Sequence, residues 1–119
     1  MKIFIITIAA IVVLYVAYKA YSTSHVDNNL PSLMTRDAVI LDVRTPREFA
    51  DGHIPGAVNI ALSKLRDATI PFDSNKVIIT CCSHGLRSVK AQEILKKRGF
   101  KNTHNGGAWT DLERYVQHR

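Results

Sequence analysis

Between Lys2 and Lys19 the chain carries no charged residue, and most side chains from Ile3 to Tyr18 are Ile, Val, Ala, Leu or aromatic. This run divides the molecule, because so apolar a terminal segment reads as membrane or export signal and leaves the fold to the remainder of the chain. At about 1.5 Å rise per residue a helix over it spans about 24 Å, short of a hydrocarbon core of about 30 Å. Snorkelling of Lys19, with Ala20 and Tyr21 added to the run, brings the length close. Tyr15, Tyr18 and Tyr21 suit the headgroup boundary. A cleavable signal is the competing reading, with Ala20-Tyr21-Ser22 as a weak small-x-small cleavage site. The length of the run and the charge of Lys19 just before that site favour an uncleaved transmembrane anchor over residues 1–21. The terminal amine plus Lys2 outweigh Lys19, which predicts a single-pass protein with its domain on the extracytoplasmic (periplasmic) side.

About 95 of the 119 residues remain, enough for one compact domain. A formal charge of +6 favours anionic contacts: small oxyanions, acidic lipids or nucleic acid. The densest basic cluster, Lys96, Lys97, Arg98 and Lys101, reads as a solvated helix face. No nucleic-acid module accompanies it, so nucleic acid is not an expected partner. The two cysteines, Cys81 and Cys82, are adjacent and cannot staple a fold. The five histidines are scattered singly, so neither a metal nor a cofactor is expected.

Residues 22–30 are polar and read as a linker merging into a domain over 26–118. Pro31 to Met34 suggests one helical turn. Ala38 to Leu41 is a continuous apolar run, as in a strand buried on both faces of a parallel sheet. Thr45-Pro46 opens a short helix that Asp51-Gly52 ends. A turn at His53 to Gly56 leads to a short strand over 57–60, and Leu62 to Leu65 suits a short helix. Val77 to Thr80 is a second buried strand, followed by a polar loop from Cys82 to Arg87. The best helix covers Ser88 to Arg98, with Ala91, Ile94 and Leu95 as its apolar stripe, a Glu93–Lys97 pair, and Gly99 as its stop. Thr103 to Asn105 is a weak strand before a Gly106-Gly107 turn. A last helix runs from Ala108 to about His118, burying Trp109, Leu112 and Tyr115 or Val116. The alternation predicts a small parallel α/β domain.

The stretch from Val77 to Ser88 is a buried strand, a tight loop and a helix start. Ligands of open α/β sheets sit beyond the carboxyl ends of the strands, where this loop must lie. Successive loop N–H groups and the helix N-terminus form an anion-binding nest that stabilises a thiolate placed at its start. Gly85 permits a backbone conformation that a side chain hinders, Arg87 adds a permanent charge, and Ser88 can cap the helix. On the residues alone, a nucleophilic sulfur site and a buried cysteine pair beside a surface turn both remain open.

The segment Leu41 to Ile60 (LDVRTPREFADGHIPGAVNI) resembles the N-terminal signature of the rhodanese family almost residue for residue. Cys82 to Ser88 (CSHGLRS) and Lys97 to Gly107 (KRGFKNTHNGG) resemble that family's active-site loop, helix and closing turn. The likeness covers roughly residues 26–118. It implies a three-layer α/β/α rhodanese fold with a five-stranded parallel sheet, and a persulfide mechanism. By position Cys82 matches the catalytic cysteine, and Ser83, His84, Gly85, Leu86 and Arg87 complete the loop cradling its sulfur, with Ser88 at the helix start. The resemblance implies attack on a sulfane sulfur, as in thiosulfate, storage as Cys82 persulfide, and delivery to a thiol, cyanide or protein acceptor. Asp42, Arg44 and Glu48 occupy the signature's charged positions and read as structural, a carboxylate at a strand end holding loop amides or Arg. His53 reads as a turn residue and Trp109 as core.

Two features depart from the family pattern. Many thiosulfate-using relatives carry Arg directly after the cysteine, whereas this chain has Ser83, so thiosulfate is expected to be a poor donor. Counted from Cys81, the loop is Cys-x5-Arg, the spacing of tyrosine-type phosphatases and some arsenate reductases. Counted from Cys82 it is Cys-x4-Arg, the tighter loop suited to sulfur. Gly85 followed by Arg87-Ser88 favours Cys82 and leaves Cys81 as a small buried hydrophobe. A rhodanese-like binding module without turnover is the third reading, disfavoured because the cysteine is present.

Overall fold

The computed structural model describes residues 1–24 and 26–116. Its first element is a long helix, α1 (Lys2–Ser24), apolar all round. The stretch Lys2–Tyr21 has a mean hydropathy of 2.3 and none of it is buried, so by length and composition it can cross a membrane. The helix continues to Ser24, into the segment expected to be linker. Polarity alone does not separate a last helical turn from coil.

The domain elements follow in the order α2 (Leu30–Leu33), β1 (Val39–Asp42), α3 (Pro46–Asp51), β2 (Val58–Asn59), a 3₁₀ turn (Leu62–Lys64), β3 (Ile78–Cys82), α4 (Leu86–Lys97), β4 (Thr103–Ala108) and α5 (Trp109–Val116). All three strand pairings are parallel, and the spatial order is β2-β1-β3-β4. Among the described residues the sheet has four strands where the resemblance implied five. Beside β4, Asp27 N–H donates to Asn105 C=O at 2.9 Å. The chain then turns at Asn28–Asn29.

Successive side chains of a strand face opposite sides, and both faces of the sheet are filled. Ile40, Ile79 and Cys81 pack with Leu30, Met34, Ile54 and Leu112 on one side. Leu41, Val43, Ile78 and Cys82 pack with Leu65, Ala91, Ile94 and Leu95 on the other. The apolar stripe expected on the best helix is the one α4 buries. Glu93, expected to pair with Lys97, instead meets Lys90 at 3.3 Å, one turn toward the N-terminus. All four residues of the basic cluster, Lys96, Lys97, Arg98 and Lys101, are exposed. Arg98 spans outward to the carbonyls of Leu65 and Ala68, both at 2.7 Å. On α5, Leu112 is buried and Val116 half-buried, while Tyr115 is exposed. The expected continuation to about His118 lies outside the described residues.

Gly106 and Gly107, expected to form a turn, belong to β4. A Cβ at Gly106 would lie 2.8 Å from Ile79 Cγ2 and Thr80 O and 2.9 Å from Leu112 Cδ2. Absence of a side chain is what lets α5 settle onto the sheet. Gly106→Ala should therefore lower stability by about 1–3 kcal/mol through overpacking. A denaturant midpoint unchanged from wild type would contradict that packing.

Candidate active site

β3 carries Cys82 as its last residue, and the chain reaches α4 through three residues. The strand runs two residues further than its apolar run because pairing with β4 resumes past an irregularity, with Cys82 opposite Ala108. Gly85, the N-cap of α4, has φ +94°, the left-handed backbone glycine adopts most easily. That turn folds the following amides back toward the strand end.

Cys82 is 1% exposed, yet its sulfur is not sealed among apolar groups. Gly85 N–H donates to Cys82 Sγ at 3.0 Å and Ser88 N–H at 3.4 Å, and Ser88 Oγ lies 3.5 Å away. Two amides of one helix start thus face a single sulfur, with the positive end of the α4 dipole behind them. Ser88, expected to cap the helix, sits inside its first turn, where its hydroxyl donates to Gly85 C=O at 3.0 Å. Thr80 Oγ1 donates to Ser88 C=O at 2.9 Å, fixing the helix start to the strand below.

Cys81 faces the other side of the sheet, fully buried with Ile54 and Leu112. Burial there, with Asp42 and Cys82 nearby, pushes its thiol far above the ordinary cysteine range. A neutral thiol in that place is neither a ready nucleophile nor placed toward the loop.

The loop's expected fixed charge is not free. Arg87 Nη1 and Nη2 donate to the two oxygens of Glu48 at 2.7 and 2.9 Å, and Nη2 also donates to Ser83 Oγ at 3.1 Å. Ser83 Oγ in turn donates to Glu48 Oε2 at 3.0 Å. The same carboxylate completes a capping box with Thr45: Glu48 N–H donates to Thr45 Oγ1 at 3.2 Å, and Thr45 N–H to Glu48 Oε1 at 3.1 Å. Arg87, then Thr45 N–H, hold the Glu48 carboxyl well below the usual carboxylate range. Glu48 therefore ties the start of α3 to both ends of the Cys82 loop. The Thr45-x-x-Glu48 spacing signals the capping box, but no local pattern reveals a partner 39 positions on.

Beneath this pair lies a second one, fully buried. Arg44 Nε and Nη2 donate to the Asp42 carboxylate at 3.0 and 2.7 Å, and Nη2 also donates to Gly52 C=O at 2.7 Å. Trp109 lies under the Arg44 guanidinium, 4.9 Å from charge to ring centre, half-buried against the core. Asn59 Nδ2 donates to the carbonyls of Asp42 and Arg44 at 3.0 and 2.9 Å. His53 stacks on Phe49 at 3.7 Å and its Nδ1 meets Phe49 C=O at 2.6 Å, holding the turn after α3. His84 and Leu86 are exposed, and Gly85 is buried.

These features, a parallel sheet whose β3 ends in a cysteine ringed by the amides of a short loop, match a known family. The profile of the rhodanese-like domain fits residues 20–108. The chain belongs to the rhodanese-like domain family. It is 34% identical over 74 residues to the thiosulfate sulfurtransferase PspE of Escherichia coli (strain K12), covering 60% of this chain and 71% of that protein. Other bacterial relatives are spanned over 56% and 65% of their length. Among solved structures, a rhodanese with anions from E. coli aligns with a TM-score of 0.58 at 33% identity, covering 62% of this chain and 89% of that one. The human single-domain sulfurtransferase TSTD1 aligns with a TM-score of 0.60 at 25% identity, covering 66% and 82%.

Proposed function

We propose that this chain is a sulfurtransferase that carries sulfane sulfur on Cys82, tethered to a membrane by α1. The observation that carries the reading is the pair of amides at the start of α4, from its N-cap Gly85 and from Ser88, aimed at Cys82 Sγ. The thiolate attacks the outer sulfur of thiosulfate or a related donor. A Cys82 S–S bond forms, the donor's S–S bond breaks, and sulfite leaves with the electron pair. In the second half, an acceptor thiolate, cyanide or a protein thiol attacks the outer sulfur, and Cys82 leaves as thiolate. The sulfur moves at a constant oxidation level, so no outside oxidant is needed. The two amides hold the anionic sulfur in both halves, and ping-pong kinetics result.

Ser83, His84, Gly85, Leu86, Arg87 and Ser88 form the pocket in this reading, with Glu48 as a positioning residue. Cys81 belongs to the core, which weighs against the longer Cys-x5-Arg register. Residues 1–21 form the anchor, the domain proper begins near residue 26, and the charge around α1 favours an extracytoplasmic domain. The expected test is kinetic. Thiosulfate and cyanide should give parallel double-reciprocal lines with wild type and with Cys81→Ala. Aryl phosphate hydrolysis that disappears in Cys81→Ala would overturn the assignment and favour the phosphatase register.

A further inference from the structure

A cavity of about 330 Å³ lies between the end of β1, the 3₁₀ turn after β2 and the first turn of α4. Its walls are Val43 and Thr45, then Ala61, Leu62 and Ser63, and Arg87. Leu62 N–H donates to Val43 C=O at 3.0 Å and Lys64 N–H to Ala61 C=O at 2.9 Å, which ties the turn to the sheet.

The cavity adjoins the sulfur-bearing residue through the sheet. β1 and β3 pair with Asp42 opposite Cys81, and Val43 N–H donates to Cys81 C=O at 3.0 Å. One step further along, Val43 stands beside Cys82, at a strand spacing of about 4.8 Å. Both side chains pack into the same half of the core, with Leu62 against it. Arg87, at the end of the Cys82 loop, closes the cavity from the other side.

What these walls lack is available charge. Among the described residues that line the cavity only Arg87 is charged, and both oxygens of Glu48 engage its guanidinium. Thr45 Oγ1 is engaged by the same glutamate. The surface left is the methyl and methylene groups of Val43, Ala61, Leu62 and the Arg87 stem, with exposed Ser63 at its edge. Such a surface gains by covering an apolar group and offers nothing to a carboxylate or sulfonate. A donor of the thiosulfate class carries its oxyanion next to the sulfur it gives up. Of the two substrates, the acceptor is the one that can be uncharged away from its sulfur.

We propose that this cavity is the acceptor subsite and selects thiols with an uncharged, apolar body, Ala61 and Leu62 setting the fit. This rests on Cys82 being the sulfur-carrying residue. With its body in the cavity, the acceptor thiolate attacks the outer sulfur of the Cys82 persulfide. The new S–S bond forms on the acceptor, the Cys82 S–S bond breaks, and Cys82 leaves as thiolate.

The test uses the full chain in phospholipid nanodiscs, as wild type, Ala61→Phe to fill the cavity, Leu62→Gln to make its wall polar, and Tyr115→Gln as a remote control. Two ratios are read. One is kcat/KM for phenylmethanethiol over that for 2-mercaptoethanol, with thiosulfate as donor. The other is the rate of Cys82 alkylation by N-benzyliodoacetamide over that by iodoacetamide, which needs no sulfur loading. Partition of the benzyl compounds into lipid is common to all variants and cancels in the comparison.

Covering a phenyl group in a half-open apolar site favours it about tenfold. Wild type and Tyr115→Gln should show both ratios raised by that factor over Ala61→Phe and Leu62→Gln, with 2-mercaptoethanol turned over equally by all four. A drop in the thiol ratio in either cavity variant supports the proposal, so a failure of one to fold leaves the other decisive. A thiol ratio that neither substitution lowers overturns it. If wild type passes sulfur to neither thiol while the alkylation ratio still follows Ala61 and Leu62, the sulfur-transfer reading fails and the apolar site stands. If Cys82 neither passes sulfur nor shows an alkylation ratio that follows the cavity, both fail.

Discussion

Asp42→Ala should cost about 3–5 kcal/mol of folding stability, because it leaves a buried guanidinium without its counter-charge. Asp42 is fully buried and Arg44 is 4% exposed. Their contact is two-pronged, with Arg44 Nε within 3.1 Å of both carboxylate oxygens and Nη2 at 2.7 Å from Oδ2. Removing the carboxylate leaves the cation facing Trp109 and the carbonyl of Gly52 in a place that water does not reach. Against a total of about 5–15 kcal/mol for a domain of ordinary stability, such a loss leaves little folded protein at growth temperature. Asp42→Asn keeps the shape and one acceptor and should lose less. Chemical denaturation of the purified chain checks both. A midpoint for Asp42→Ala equal to that of wild type would mean the pair is not sealed from solvent.

Glu48→Ala should have the second large effect, on activity more than on stability. The Glu48–Arg87 pair is about one-third exposed, so its direct worth to folding is ~1 kcal/mol or less. Its leverage is positional, since one carboxylate holds Arg87, Ser83 and the Thr45 cap at once. Freed from it, the loop no longer fixes its amides on Cys82, and displacements near 1 Å at a reacting centre cost up to about 100-fold in rate. We expect a 10- to 100-fold fall in sulfur loading with a nearly native melting temperature. The pH behaviour has its origin in the same contact. A carboxylate whose folded-state pKa is depressed contributes its full stabilisation above its unfolded value and loses it only as pH falls through the folded one. The wild-type loop should therefore stay closed through mildly acidic pH. An acid limb near the ordinary Glu value of about 4 that persisted in Glu48→Gln would assign that limb to another group.

Much of the scaffold was legible because it rests on local signals. The apolar runs leading into Leu41 and Thr80 are β1 and most of β3, and Thr45-Pro46 caps α3 as expected. The stripe Ala91, Ile94, Leu95 faces the sheet, and Gly99, with φ +98°, comes after α4 as a stop. The features that escaped depend on neighbours distant in sequence. β4 reads as weak because Thr103, His104 and Asn105 are polar and two glycines come next. It is a strand because β3 offers its edge and Leu112 needs the space at Gly106. Ser88 reads as a cap by residue type, but the Gly85 turn moves the helix start ahead of it. The largest miss is Glu48. Its charge was legible as structural, while its grip on Arg87 and Ser83 becomes visible only when α3 and the loop are brought together.

The sulfur-handling claim is tested most directly by intact mass. Wild type, Cys81→Ala and Cys82→Ala are incubated with thiosulfate, desalted and weighed before and after cyanide. The account predicts one added sulfur atom on wild type and on Cys81→Ala, removed by cyanide, and none on Cys82→Ala. Sulfur gained by Cys82→Ala but not by Cys81→Ala would contradict it.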